Sequence, residues 1–162
     1  MIETMSQTVI RRATAADEDA LLRLAERLAI SDLPRWRTAA TIAECDGRDM
    51  VNAIRAANPD AEVFIAERNG EPAGCLHILE TTDFFGLEHA HISVIATSAA
   101  VEGTGVGRAL MTHAEEWTRR RNLPLLTLNV FAANTHARRF YEKAGFDAEF
   151  LKYAKPMNRE PS

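Results

Sequence analysis

The segment Glu102-Gly103-Thr104-Gly105-Val106-Gly107 sets three glycines at alternate positions, directly after an alternating apolar stretch and directly before a helical one. That spacing suits a strand-to-helix turn, because glycine enters left-handed backbone conformations without steric cost and leaves neighbouring N–H groups uncovered. N–H groups converging at the positive end of a helix bind an anion, and a phosphate or pyrophosphate is the natural one. The helix reads from Val106 to Arg121, with Val106, Ala109, Leu110, His113, Ala114 and Trp117 at helical spacing. Arg119-Arg120-Arg121 close it, where cations complement the dipole. With a strand expected at 123–130, the parts of a strand-helix-strand crossover are present.

Upstream the pattern is a meander. Residues 8–12 read as a short strand, and Thr14 with Asp17 and Glu18 starts a helix through about Leu28 that buries Leu21, Leu22, Leu24, Ala25 and Leu28. A second helix is expected over 38–57, between the break Ser31-Asp32-Leu33-Pro34 and the stop Asn58-Pro59-Asp60. Residues 62–67 and 73–79 flank Asn69-Gly70 and read as a β-hairpin, since Asn-Gly tolerates positive φ. After a loop at 81–87, residues 89–97 set Ala90, Ile92, Val94 and Ala96 against His89, His91, Ser93 and Ile95, which predicts one strand with two faces. Downstream, a helix over 134–144 carries Ala137, Phe140, Tyr141 and Ala144 on one stripe, Gly145 caps it in the left-handed region, and 146–153 supplies a last strand. The order β-α-α-β-β-β-α-β-α-β describes an α/β (α+β) fold: a mixed, mostly antiparallel central sheet flanked by helices, with residues 1–162 as a single domain.

Charge and cysteine usage narrow the partners. A net charge of −4 argues against general nucleic-acid affinity, which needs a basic surface to displace counterions. Cys45 and Cys75 lie far apart, outside any metal-ligand spacing, so neither a disulfide framework nor a metal site is expected, and a reducing compartment fits. Residues 1–7 lack the basic and apolar regions of a leader, and no apolar run approaches the roughly 20 residues that span a bilayer. A cytoplasmic protein without membrane partners is the expectation.

Two common phosphate motifs do not fit the glycine turn. No Gly-Lys-Ser/Thr ends it, so it is not a Walker A loop. A dinucleotide fingerprint would need a third glycine at Arg108 and an acid on the strand that follows, and both are missing. What the turn does resemble is the cofactor motif of the GCN5-related N-acetyltransferase (GNAT) family: Arg or Gln, two residues, Gly, any residue, then Gly or Ala. Gly105-Val106-Gly107 supplies its second half, while Glu102 stands where the family prefers Arg or Gln, which removes one favourable charge near the pyrophosphate. The stretch 128–146 is similar to the family's second cofactor motif, with Asn134, Ala137, Tyr141 and Gly145-Phe146 on its pattern. The two motifs together cover about residues 89–146.

The resemblance implies an acetyl-CoA-dependent N-acetyltransferase, with acetyl-CoA as co-substrate and no metal. It implies that the pyrophosphate lies on Gly103, Thr104, Gly105, Val106, Gly107 and Arg108, and that the pantetheine arm runs between 89–97 and 123–130 and pairs with Ile95, Ala96 and Thr97. Asn134 caps its helix in any fold and commonly bonds the cofactor or a water in this family. Tyr141 holds the family position of the acid that protonates the departing thiolate, whose ordinary pKa of about 8.5 lies below that of tyrosine at about 10. The acceptor is a primary amine of a small molecule or peptide, attacking directly without an acyl-enzyme. A protonated amine needs a base; His89 and His91 share a face with Ser93, and His91 is the first candidate, with Glu80 and Glu88 as alternatives. The helix-loop-helix near 31–60 and the loop near 81–88 would shape the acceptor pocket, where Glu44, Asp46, Asp49, Asp83 and Glu88 could draw a cationic amine and Trp36 could line the wall. A homodimer is compatible with this reading. A non-catalytic acyl-CoA-binding regulatory module of the same fold is the alternative; Glu102 favours it, and Tyr141 and Asn134 speak against it.

Overall fold

In the computed structural model, which describes residues 7–29 and 33–157, the Asn69-Gly70 turn organises the sheet. Asn69 and Gly70 take φ of 54° and 77°, and the closing pair Arg68 and Glu71 joins β2 (Ala61–Arg68) to β3 (Glu71–Thr82) in the two-residue hairpin that positive φ at both positions allows. β1 (Thr8–Arg12) pairs antiparallel with β2, β4 (Glu88–Thr97) antiparallel with β3, and β5 (Leu126–Leu128) parallel with β4. The strand order is β1-β2-β3-β4-β5.

Helices cover both faces. On one lie α1 (Glu18–Ala25), continued by a 3-10 turn at Glu26–Ala29, and α2 (Ala39–Ala56); Leu21, Leu24, Ala25 and Met50 pack there against Val63, Ile65, Cys75, Val94 and Ala96. On the other lies α3 (Val106–Arg120), where Val106, Leu110, Met111, Ala114 and Trp117 meet Phe64, Leu76, Ile78, Ala90 and Ile92. α4 (Thr135–Lys143) adds Phe140 and Tyr141 to this second cluster. Close seating of α3 depends on Gly74, whose Cβ, if present, would stand 2.8 Å from the Ala96 carbonyl oxygen and 2.9 Å from Leu110 Cδ1.

Leu22, expected on the buried face of the first helix, is 44% exposed. Three expectations about the strands change. Residues 90, 92, 94 and 96 do not share a face. His77 pairs with Val94 while Ile78 pairs with Ile92, so Ser93 is an extra residue, and this β-bulge turns Val94 and Ala96 to the α1/α2 face while Ala90 and Ile92 stay under α3. Second, the strand expected over 123–130 shortens to three residues, because β4 offers it partners only at Ala90, His91 and Ile92. Third, residues 146–153 form no strand; Phe150, Leu151 and Tyr153 are 67%, 77% and 89% exposed. Alternation supplies two faces but no hydrogen-bonding neighbour, and a strand needs both. The break at 31–34 lies partly outside the described residues, and the reading of 1–7 almost wholly so.

Arg119 pairs with Glu115 at 2.9 Å, while Arg121 lies 4.2 Å over the Trp117 ring and donates to Glu80 at 3.2 Å. These two basic residues at the end of α3 are held by side chains of α3 itself and by Glu80 of β3. Among the described residues no helix is long and apolar enough to cross a membrane.

Candidate active site

Past the end of β4, the chain makes a short 3-10 turn at Ala99–Val101 and enters α3 through the glycines. Gly103 and Gly105 adopt φ of 75° and 92°, and a Cβ on either would meet no protein atom within 4 Å, so the space in front of the turn is open. The backbone N–H groups of Gly103, Gly105, Val106, Gly107 and Arg108 donate to no acceptor among the described residues. Thr104 behaves differently: its N–H donates to the Val101 carbonyl at 3.1 Å, its hydroxyl goes to the same oxygen, and its own carbonyl accepts from Arg68 at 3.2 Å. Thr104 therefore holds the turn while its neighbours present donors at the positive end of a 15-residue helix. A diphosphate fits such a cradle.

A slot opens beside it. β5 covers β4 at 90–92, so the edge of β4 from Ser93 to Thr97 on that side has no strand neighbour among the described residues. Ile95 leans on the α3 cluster and Ala96 is buried on the other face. Thr97 and Phe140 border the slot, since a Cβ on Gly107 would lie 3.8 Å from Thr97 Cγ2 and 3.7 Å from Phe140 Cζ.

Asn134 starts α4, its Oδ1 accepting the Ala137 N–H at 3.1 Å. Gly145, at φ 93°, ends it: the Phe146 N–H reaches back to the Tyr141 carbonyl at 3.0 Å, and the Phe146 ring packs 6.0 Å from the Tyr141 ring. Tyr141 is thus fixed from its own helix end and from Phe140, 5.5 Å away between ring centroids. Its hydroxyl has no hydrogen-bond partner among the described residues, and burial pushes its pKa up, which keeps it a proton donor at neutral pH.

His91 sits on the opposite face, alternating with Ala90 and Ile92. Its Nδ1 shares a hydrogen bond with Thr127 Oγ1 at 2.8 Å, which leaves Nε2 for another partner. Burial, then the neighbouring His89, lowers its pKa, so the ring is neutral at pH 7 and able to accept a proton. His89 is turned away to the Leu87 carbonyl at 3.0 Å. Glu80, an alternative base, is occupied by Arg121, and Glu88 is exposed at the start of β4. His91 and Tyr141 flank the sheet from its two faces rather than standing side by side. His77 joins the His91 side: it is 6% exposed, with Nδ1 unpartnered among the described residues, its pKa lowered by burial and opposed by Asp49 on α2. Sequence reasoning missed it, although a histidine between Leu76 and Ile78 in an apolar run was a visible signal. Asp46, one turn before Asp49 on α2, is half-buried, and burial and Asp49 raise its pKa.

A family model described as the acetyltransferase (GNAT) family matches residues 21–146, a stretch that contains the glycine turn, the slot and α4. The chain belongs to the GNAT acetyltransferase family. This GNAT chain is 32% identical over 71 residues to the uncharacterized N-acetyltransferase YhdJ of Bacillus subtilis; the match covers 43% of the chain and 50% of that protein, so the chain spans about half the length of that curated relative. Among solved structures it is similar to a transcriptional regulator from Bacillus halodurans C-125, at TM-score 0.66 and 26% identity over 92% of this chain and 100% of the other. An aminoglycoside N-acetyltransferase in complex with CoA shares the fold at TM-score 0.72 and 14% identity, over 98% of this chain and 100% of its own. These structures share the chain's fold, and acetyl transfer is the chemistry that the family description names.

Proposed function

We propose that the protein transfers an acetyl group from acetyl-CoA to a primary amine of a small molecule or peptide, by direct attack. The observation that carries this reading is the set of uncommitted N–H groups of Gly103, Gly105, Val106, Gly107 and Arg108 beside the uncovered edge of β4. Acetyl-CoA supplies an acetyl group activated as a thioester. The turn binds its diphosphate, and the 93–97 edge offers backbone groups to the pantetheine amides. His91, held through Nδ1 by Thr127, takes a proton from the incoming ammonium at Nε2, directly or through water. The freed amine forms the C–N bond as the C–S bond breaks, its nitrogen releases its second proton to solvent, and Tyr141 gives its proton to the departing sulfur, to be reprotonated from solvent. Cys75 is no acyl carrier: it is fully buried and its thiol is pushed up to about 12. The free thiols of Cys45 and Cys75 suit a cytoplasmic setting.

The test is thiol release from acetyl-CoA across a panel of small and peptidyl primary amines, with the product identified by mass. Acetylation of at least one amine is expected. Tight binding of acetyl-CoA without release by any amine would instead favour a non-catalytic acyl-CoA-binding module.

A further inference from the structure

The cradle contains an acid where a cation would serve it better. Glu102 opens the turn, immediately before the uncommitted N–H groups, and a carboxylate there opposes a diphosphate. Arg27 faces it from the 3-10 turn that follows α1: its Nη2 lies 3.7 Å from Glu102 Oε2, and its Nε donates to the Thr97 carbonyl at 3.4 Å. The guanidinium therefore spans the last residue of β4 and the first residue of the turn. Neither contact is tight. The Glu102 pair lies beyond hydrogen-bond length, its side chains are 32% and 59% exposed, and Nη1 has no acceptor among the described residues. Arginine presents five donors in a planar fork suited to phosphate oxygens, so most of that capacity is unspent here. A cavity of about 350 Å³, lined by Arg23, Arg27, Glu71, Ser98 and Ala99 among others, leaves room beside the guanidinium.

We infer that Arg27 is a phosphate-binding residue of the cofactor site, taking the place of the basic or amide side chain that Glu102 has replaced, and that Glu102 holds Arg27 at the mouth until a diphosphate competes for it. The inference rests on the reading of the glycine turn as a CoA site. It assigns a cofactor contact to the α1–α2 segment, outside the two motifs.

Calorimetric titration of CoA into the full chain tests it, using wild type, Arg27→Gln, Glu102→Gln and the double variant as a thermodynamic cycle. Arg27→Gln is expected to weaken CoA about tenfold in both backgrounds, and Glu102→Gln to tighten it several-fold. Arg27→Lys, which keeps the charge and loses the fork, should fall between and stands in should Arg27→Gln fail to fold. The kcat/KM for acetyl-pantetheine, which has the arm without the diphosphate, should be unmoved by Arg27→Gln. Unchanged CoA affinity in Arg27→Gln, or a loss confined to the Glu102 background, would overturn the inference; the second result would make Arg27 a mere neutraliser of Glu102. An equal loss with acetyl-pantetheine would overturn it too, by making the effect one of folding or of the arm. Failure of wild type to bind CoA would remove the underlying reading itself.

Discussion

Gly105 carries two duties in one residue. Its φ of 92° is open to glycine at little cost and to valine only with strain, and a side chain would enter the open space that the proposed function gives to the diphosphate. Gly105→Val should weaken CoA at least tenfold and cost about 1–2 kcal/mol of stability; an unchanged CoA titration would remove the turn from the cofactor site. Tyr141 offers the complementary case. Because its hydroxyl bonds to nothing among the described residues, Tyr141→Phe deletes no folding contact, and CoA affinity should stay within about twofold while kcat drops about 100-fold, the usual contribution of a general acid. Full turnover by this variant, measured by thiol release, would end the acid role. Gly103, Gly105, Asn134 and Gly145 were legible from the chain because positive φ and helix caps are local requirements that few residue types meet. The pairing of Arg27 with Glu102 and the burial of His77 between β3 and α2 were not, since each depends on residues from separate elements.

At the scale of elements, the hairpin, α3 and α4 follow from periodicity and turn chemistry, whereas β4 does not. Its regular alternation hides the extra residue at Ser93, because a bulge is defined by what the neighbouring strand does opposite it. The bulge begins at the point where β5 stops, so one stretch of chain both changes the faces of β4 and leaves its edge open. Contact between α3 and the sheet depends on Gly74 in β3. Gly74→Ala would press a methyl group against the Ala96 carbonyl and Leu110, and a loss of about 1–3 kcal/mol in urea unfolding is expected. Retained stability would show that α3 can move outward at no cost. The same shift would disturb the end of β4, so the slot and the core are coupled through one glycine.

Across the whole molecule, helices on both faces enclose histidines that the sequence scatters over three elements. Burial is the leading cause that lowers the pKa of His77, His91 and His113 from the ordinary 6.5. Each therefore takes up protons more readily when unfolded, so the stability they contribute is whole above pH 6.5 and is lost as the pH falls through their lowered values. Urea midpoints should decline from pH 7.5 to 5.5, and His113→Gln, remote from His91, should lessen the decline; a flat profile would contradict the burial argument. The chain alone determined the glycine turn, the caps of α4, the hairpin and the family, because these rest on local conformational demands and motif spacing. Tertiary structure alone decided that residues 146–153 find no strand neighbour, that Val94 and Ala96 leave the face of Ile92, and that Arg27 stands over Glu102. Each is a relation between segments distant in sequence, set by which surfaces pack and which hydrogen bonds remain to be made.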